Sequence, residues 1–361
     1  MNTNTYELFC ELVRAGLWER ETRLSSLEGS EWDEVYQLAS EQSMFGLVLA
    51  GLENCNVKPP QELLLEWIGE VQMLEQQNKA MNGFVGELFE KLSKAGIKVL
   101  LVKGQGVAQS YERPLWRCGG DIDLLMDSEN YERAKAFLVP MADHVETEDK
   151  GKKHLGLYIG ESLIELHGAM PFELSKKVDK VVDEVIDKAN MDNTNGTDDL
   201  EGVSIPKANE HVVLVFTHFL HHFFIEGVGL RQICDWCSML WRYRSELDLR
   251  LLESRIKRMG LMSEWKSFAS LAVDYLGMPE EAMPFYDSRF KKRGSWIMEL
   301  VMETGNFGHN KDLSYRTKYS GLTYKIVALG RRFIDFCRFV WVFPLDSPRF
   351  FVSYVMRKVQ R

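Results

Sequence analysis

With 361 residues, the chain is long enough for two or three packing units and for a core that needs no disulfide staples, because domains hold roughly 100 to 200 residues. Apolar residues make up 45% and charged residues 27%, a globular balance that excludes disorder and collagen-like repeats. Lys and Arg number 44 against 53 Asp and Glu, a net charge of -9, which disfavours a non-specific grip on DNA or anionic lipid over the whole surface and leaves room only for a local basic patch.

The N-terminal stretch MNTNTYELFCEL has no basic residues ahead of an apolar run and carries Glu7 and Glu11 where a signal peptide is apolar, so export is not expected. In the helical C-terminal half, the longest stretch without Asp, Glu, Lys or Arg runs from His211 to Ile225, 15 residues including four histidines. A spanning helix needs about 20, so no transmembrane segment is predicted. Six scattered cysteines form no disulfide framework and read as reduced thiols in a cytoplasm.

Residues 1–95 read as a helical N-terminal region, with apolar positions recurring at three and four: Leu8, Leu12, Ala15, then Val35, Leu38, Ala39. Pro59-Pro60 breaks it, and a long helix rich in Glu, Leu, Gln and Lys is predicted from Gln61 to Lys94, with Gly96 as its C-cap. Ile97 to Val102 then reads as a buried strand, followed by a short helix near Gly106 to Tyr111 and a second strand from Asp121 to Met126. A helix is predicted over Ser128 to Leu138 with Ser128 as N-cap. A β-hairpin follows, pairing His154 to Ile159 with Ser162 to His167. Residues 187–202, polar and turn-rich, mark a surface loop or boundary. From Pro206 the chain reads as helical again. The predicted class is therefore α+β, with a small mixed-sheet core over 96–205 between helical regions at 1–95 and 206–361.

The chemistry concentrates in GGDIDLLM, residues 119–126. Alternation along a strand puts Asp121 and Asp123 on one face and Ile122, Leu124 and Met126 on the other. Two carboxylates side by side on an apolar strand are costly unless something offsets them, and a divalent cation is a natural reason for their presence. Gly119 and Gly120 ahead of them allow a ligand or another backbone to come close. In SLIELHGAM the same alternation sets Leu163, Glu165 and His167 on one face, so Glu165 faces the aspartates if the two strands are neighbours. Three such carboxylates can hold two magnesium ions about 3.5–4 Å apart. Upstream, VLLVKGQG supplies Lys103 as a point charge and Gly104 and Gly106 in a strand-to-helix turn able to cradle phosphate with backbone N–H groups.

This order of elements resembles the nucleotidyltransferase superfamily of DNA polymerase β. More narrowly, the chain resembles a bacterial family of uncharacterised nucleotidyltransferases through Leu100-Leu101-Val102-Lys103-Gly104, Arg117, Gly120-Asp121-Ile122-Asp123-Leu124-Leu125 and Glu165-Leu166-His167. The resemblance spans about residues 97–168. It implies a metal-dependent transfer of a nucleoside monophosphate from an NTP to a hydroxyl-type acceptor, which could be a small molecule, a protein or an RNA. It implies Asp121, Asp123 and Glu165 as catalytic metal ligands for two Mg2+ ions, with Mn2+ as the alternative. It also implies Lys103, Gly104, Gln105, Arg117, Gly119, Gly120 and His167 around the nucleotide. Two residues depart from the commoner pattern: Gln105 stands where serine usually contacts phosphate, and Glu165 where aspartate is common. Both would also suit a non-catalytic nucleotide-binding or interaction module on the same fold.

Other features have plainer readings. Cys234 and Cys237, three apart on a helical stretch, suit small buried hydrophobes better than zinc ligands, even with His218, His221 and His222 upstream. Asp235 lies four after Arg231 and suits a helical ion pair, with a reach toward the nucleotide cleft as the alternative. The basic, aromatic stretch from Arg331 to Arg361 reads as a helix pair packed on the domain through its aromatics, with snorkelling arginines, ahead of an RNA, partner or membrane-surface patch. Asp121→Asn and Asp123→Asn are both expected to abolish transfer and to leave the fold intact or slightly more stable, by relieving like-charge repulsion.

Overall fold

The computed structural model describes residues 3–24, 29–170, 172, 174–197, 200–306, 318, 320–344 and 346–359. Four helices open the chain: α1 (Thr3–Leu17), α2 (Gly29–Glu41), α3 (Phe45–Glu53) and the long α4 (Gln61–Lys94). They lead into a five-stranded mixed sheet built from β1 (Leu100–Leu101), β2 (Asp121–Leu125), β3 (His144–Val145), β4 (His154–Ile159) and β5 (Ser162–His167), in the order β1-β2-β5-β4-β3. Only the central β2–β5 pair is parallel; β1–β2, β5–β4 and β4–β3 are antiparallel. The short α5 (Gln105–Ala108) links β1 to β2, and α6 (Ser128–Leu138) follows β2. The class is mixed α+β, a sheet with flanking helices.

The alternation on β2 sorts the two faces of this sheet into different surroundings. Ile122, Leu124 and Met126 join Leu101, Ile164 and Leu166 in one apolar cluster, packed on Val85, Leu88, Phe89 and Leu92 of α4 and on Tyr131, Ala134 and Leu138 of α6. Leu125 on the opposite face joins the larger helical core. Asp121 and Asp123 share that second face. It looks toward α7 (Lys176–Met191) and α8 (Ala208–Ile225), and His211 of α8 reaches Val102 O at 2.9 Å.

Several local expectations need correcting. β1 is two residues long, not six, because the backbone N–H groups at the start of the apolar run go elsewhere. Ile97 N–H closes the end of α4 on Leu92 O, and Lys98 N–H donates to the Asn130 side chain. The N-cap of α6 is Asp127, not Ser128: its carboxylate accepts from Asn130 N–H at 2.8 Å and suits the positive end of the helix. The short helix after β1 ends at Ala108 rather than Tyr111. The polar stretch at 187–202 contains more than loop, since β6 (Asn193–Asn195) pairs antiparallel with β7 (Ser204–Pro206).

The C-terminal helices α8, α9 (Leu230–Arg242), α10 (Leu249–Met259), α11 (Met262–Asp274) and α12 (Lys291–Thr304) build a core rich in aromatics, in which Phe216, Trp236, Trp265 and Phe268 are fully buried. The N-terminal helices join it, with Trp18 packed edge-on against Trp241 at 5.7 Å. The last two helices, α13 (Gly321–Val342) and α14 (Asp346–Val359), bury Phe336, Phe339, Phe343 and Phe350 against Phe223 and Phe224. Their aromatics are therefore core, while Phe333, Ile334 and Trp341 on the other side of α13 are exposed. Arg338 pairs with Glu303 and Arg349 with Asp346. Arg361 lies outside the described residues. Among the described residues no helix is long and apolar enough to cross a membrane.

Candidate active site

β5 lies directly beside β2 in parallel register, which pairs Asp123 with Glu165 and Asp121 with Leu163. Because the two strands run the same way, like-facing residues project together, and carboxylate oxygens of Asp121, Asp123 and Glu165 all lie within 4.8 Å of one another. The turn that carries Lys103 is held against the start of β2 by Gly104. Its φ of +51° favours glycine, and a Cβ there would come within 2.7 Å of Asp121 O. The main chain of Gly104 can therefore pack against the strand bearing the acids, and Lys103 is delivered over them.

Asp123 is the centre of the arrangement. Its Oδ1 is 2.5 Å from Lys103 Nζ and 2.9 Å from His167 Nε2. Its Oδ2 is buried with no hydrogen-bond partner. A buried carboxylate oxygen without a donor is costly, and a divalent cation is the partner that an all-oxygen donor set of Asp121, Asp123 and Glu165 would suit. The residues present thus fit a Mg2+-class ion.

The ionisable groups are held unequally. Burial, and then the charge of Asp123, push the Asp121 carboxyl above its usual range. Burial would do the same to Glu165, but hydrogen bonds from His154 and His167 and the charge of Lys103 hold it far below. For His167, burial opposes charge, yet hydrogen bonds to Asp123 and Glu165 outweigh it and raise the pKa above the ordinary histidine value. Lys103 follows the same logic, with Asp123, Asp121 and Glu165 overcoming burial.

These groups face an open cavity of about 360 Å³ whose far wall is α8. His218, His221 and His222 line it with Glu226, Met170 and Phe172. His218 Nε2 lies 3.2 Å from Lys103 Nζ and 3.1 Å from His222 Nε2, and His222 Nδ1 lies 2.9 Å from Glu226. Burial, and then the charge of Lys103, keep His218 well below the usual pKa, so it is neutral and accepts from the ammonium. A chain of polar contacts thus runs from Asp123 through Lys103 and two histidines to Glu226. The 218, 221, 222 spacing that places these histidines together was visible in the sequence. What it lacked was the information that α8 returns across the sheet. His154, which completes the cavity wall beside Glu165, carried no signal beyond its place at a strand start.

The remaining sequence candidates sit elsewhere. Arg117 is buried and bidentate to Asp235, at 2.7 and 2.8 Å. Asp235 is 3.6 Å from Arg231, its helical neighbour, and also accepts from Tyr111. The ion pair expected within α9 is therefore secondary to one that reaches across to Arg117. Gln105 is buried, and its amide donates to Asn82 and Asn78 of α4. Gly119 lies by Arg117 Nη1 and Gln105 Oε1, two buried atoms without a hydrogen-bond partner, while Gly120 has open space around it. None of Gln105, Arg117, Gly119 and Gly120 lines the cavity. Cys234 and Cys237 are fully buried, and burial pushes both thiols up.

A family model described as an uncharacterised nucleotidyltransferase matches residues 28–277, which takes in the sheet, the carboxylates and the α8 wall. No curated protein and no solved structure matches the chain.

Proposed function

We propose that this chain, a member of the uncharacterised nucleotidyltransferase family, transfers a nucleoside monophosphate from an NTP to a hydroxyl-type acceptor, with release of pyrophosphate. The observation that carries the reading is the set of three carboxylates on adjacent parallel strands, with Lys103 beside them and an orphaned oxygen on Asp123. Asp121, Asp123 and Glu165 would hold Mg2+, two ions in the full scheme, or Mn2+ in its place. Bound there, such ions neutralise phosphate charge and activate the attacking oxygen.

The chain's own residues do the positioning. His167 fixes Asp123 through Oδ1, which leaves Oδ2 for the cation. Lys103 adds a positive charge at the cavity floor for the triphosphate, and neutral His218 props its ammonium from behind. Glu165 would complete the second metal site and help deprotonate the acceptor. Gly104 supports the geometry, while Gln105 through α4 and Arg117 through Asp235 hold the segment ahead of β2, which ends in Gly119 and Gly120.

The test is pyrophosphate release from each NTP with Mg2+, screened over small-molecule, protein and RNA acceptors. Acceptor-dependent release that disappears in Asp121→Asn supports transfer. NTP binding without release for every acceptor class would instead favour the non-catalytic module.

A further inference from the structure

His154, Glu165 and His167 stand on one face of the antiparallel β4–β5 pair, with His154 opposite His167 and Gly156 opposite Glu165. Glu165 Oε2 lies 3.4 Å from His167 Nε2 and 3.5 Å from His154 Nε2. A donor atom from each of the three lies within 4.8 Å of the other two. Around a tetrahedral ion with ligand bonds of about 2.0–2.1 Å, neighbouring donors are separated by about 3.3–3.4 Å. Both Glu–His separations are close to that length, and to take an ion His167 Nε2 would give up its proton and its 2.9 Å contact with Asp123 Oδ1.

The donor set differs in kind from that of the aspartates. Two imidazole nitrogens and one carboxylate oxygen suit borderline first-row metals, whereas the all-oxygen set beside them suits Mg2+. His154 is partly exposed and all three residues border the cavity, so an ion can enter and three protein ligands leave a coordination position open toward it. The Glu146 carboxylate occupies the space a side chain on Gly156 would fill, and adds negative charge on the same face.

We infer that His154, Glu165 and His167 form a second metal site, selective for a borderline transition-metal ion such as Zn2+ or Co2+, adjoining the carboxylate site and sharing Glu165 with it. The inference rests on the proposed transferase reading only through that shared residue. It separates the cavity into a hard, oxygen-lined floor under Lys103 and a nitrogen-lined wall on β4–β5.

Co2+ is the probe, because nitrogen-rich low-coordinate sites give it visible absorption bands. The full-length protein is titrated with Co2+ in excess Mg2+, which fills the oxygen site. One equivalent should produce the bands. His154→Ala, with its fold checked by circular dichroism, should weaken Co2+ binding at least about 10-fold, since losing even an outer-shell partner of a ligand costs about that much. Asp121→Asn should bind Co2+ as the wild type does. Equal affinity in wild type and His154→Ala, loss of binding in Asp121→Asn, or no bands at all would overturn the site. Pyrophosphate release in Mg2+ alone reports on the transferase reading separately, so either can fail without the other.

Discussion

Asp121 and Asp123 leave β2 on the same side, yet only Asp123 is tied down, by Lys103 and His167. The expectation that both asparagine variants spare stability is therefore kept for Asp121 and withdrawn for Asp123. Asp121→Asn removes a carboxylate that is raised by burial and by Asp123, so without cation it should be neutral or stabilising. Asp123→Asn takes the nearest carboxylate from the Lys103 ammonium and should cost about 3 kcal/mol. Urea unfolding of both variants without divalent ions checks the contrast. Both should lose transfer by about 100-fold or more, as expected when a group stabilising transition-state charge is removed. Added Mg2+ should raise wild-type stability by about 2.7 kcal/mol at 100 times its dissociation constant, and Asp121→Asn should show little of that gain in a thermal melt. The acids themselves were legible in the sequence, because aspartates at alternate strand positions are unusual and need a reason. His154 was not, because nothing local says which strand will lie next to Glu165.

The two elements that bring Lys103 to the acids are held by backbone devices. Gly104, with φ of +51° and a Cβ position 2.7 Å from Asp121 O, should not tolerate alanine. Gly104→Ala should cost about 1–3 kcal/mol and weaken NTP binding by displacing Lys103, as read by denaturation and calorimetry. The other device is His211 of α8, buried and bonded to Val102 O at the end of β1, its pKa lowered by burial to about 4. A folded-state pKa below the unfolded value of about 6.5 gives stability that is complete above about pH 6.5 and is lost as pH falls toward 4. The loss should reach about 3 kcal/mol, and His211→Gln should flatten that stretch of the pH–stability curve. The sequence period predicted β2, β4 and β5 well, since each is bounded by turns and alternates cleanly. It overestimated β1, where the apolar run continues but the backbone donors are claimed by α4 and α6, a tertiary fact invisible in a local window.

Across the whole chain, helices before and after the sheet share one apolar core, and the Arg117–Asp235 pair fastens the segment ahead of β2 to α9. Both partners are buried, and the charge and hydrogen bonds of Arg117 hold the Asp235 carboxyl low against the effect of burial. Asp235→Asn should therefore cost about 3–5 kcal/mol while leaving the metal ligands in place, a split that denaturation and Mg2+ titration would separate. The motif made Arg117 look like a nucleotide contact, since sequence cannot show that a carboxylate 118 positions later folds back to occupy it. Helical character at both ends was readable from periodicity, but the return of α8 over the carboxylates was not. The central claim is that Asp121, Asp123 and Glu165 bind an NTP together with a divalent cation. Calorimetric titration of NTP with and without Mg2+, on wild type and Asp121→Asn, tests it most directly. The account predicts tight binding by wild type only with Mg2+ and at least about 10-fold weaker binding by Asp121→Asn. Mg2+-independent binding of equal strength in both proteins would contradict it.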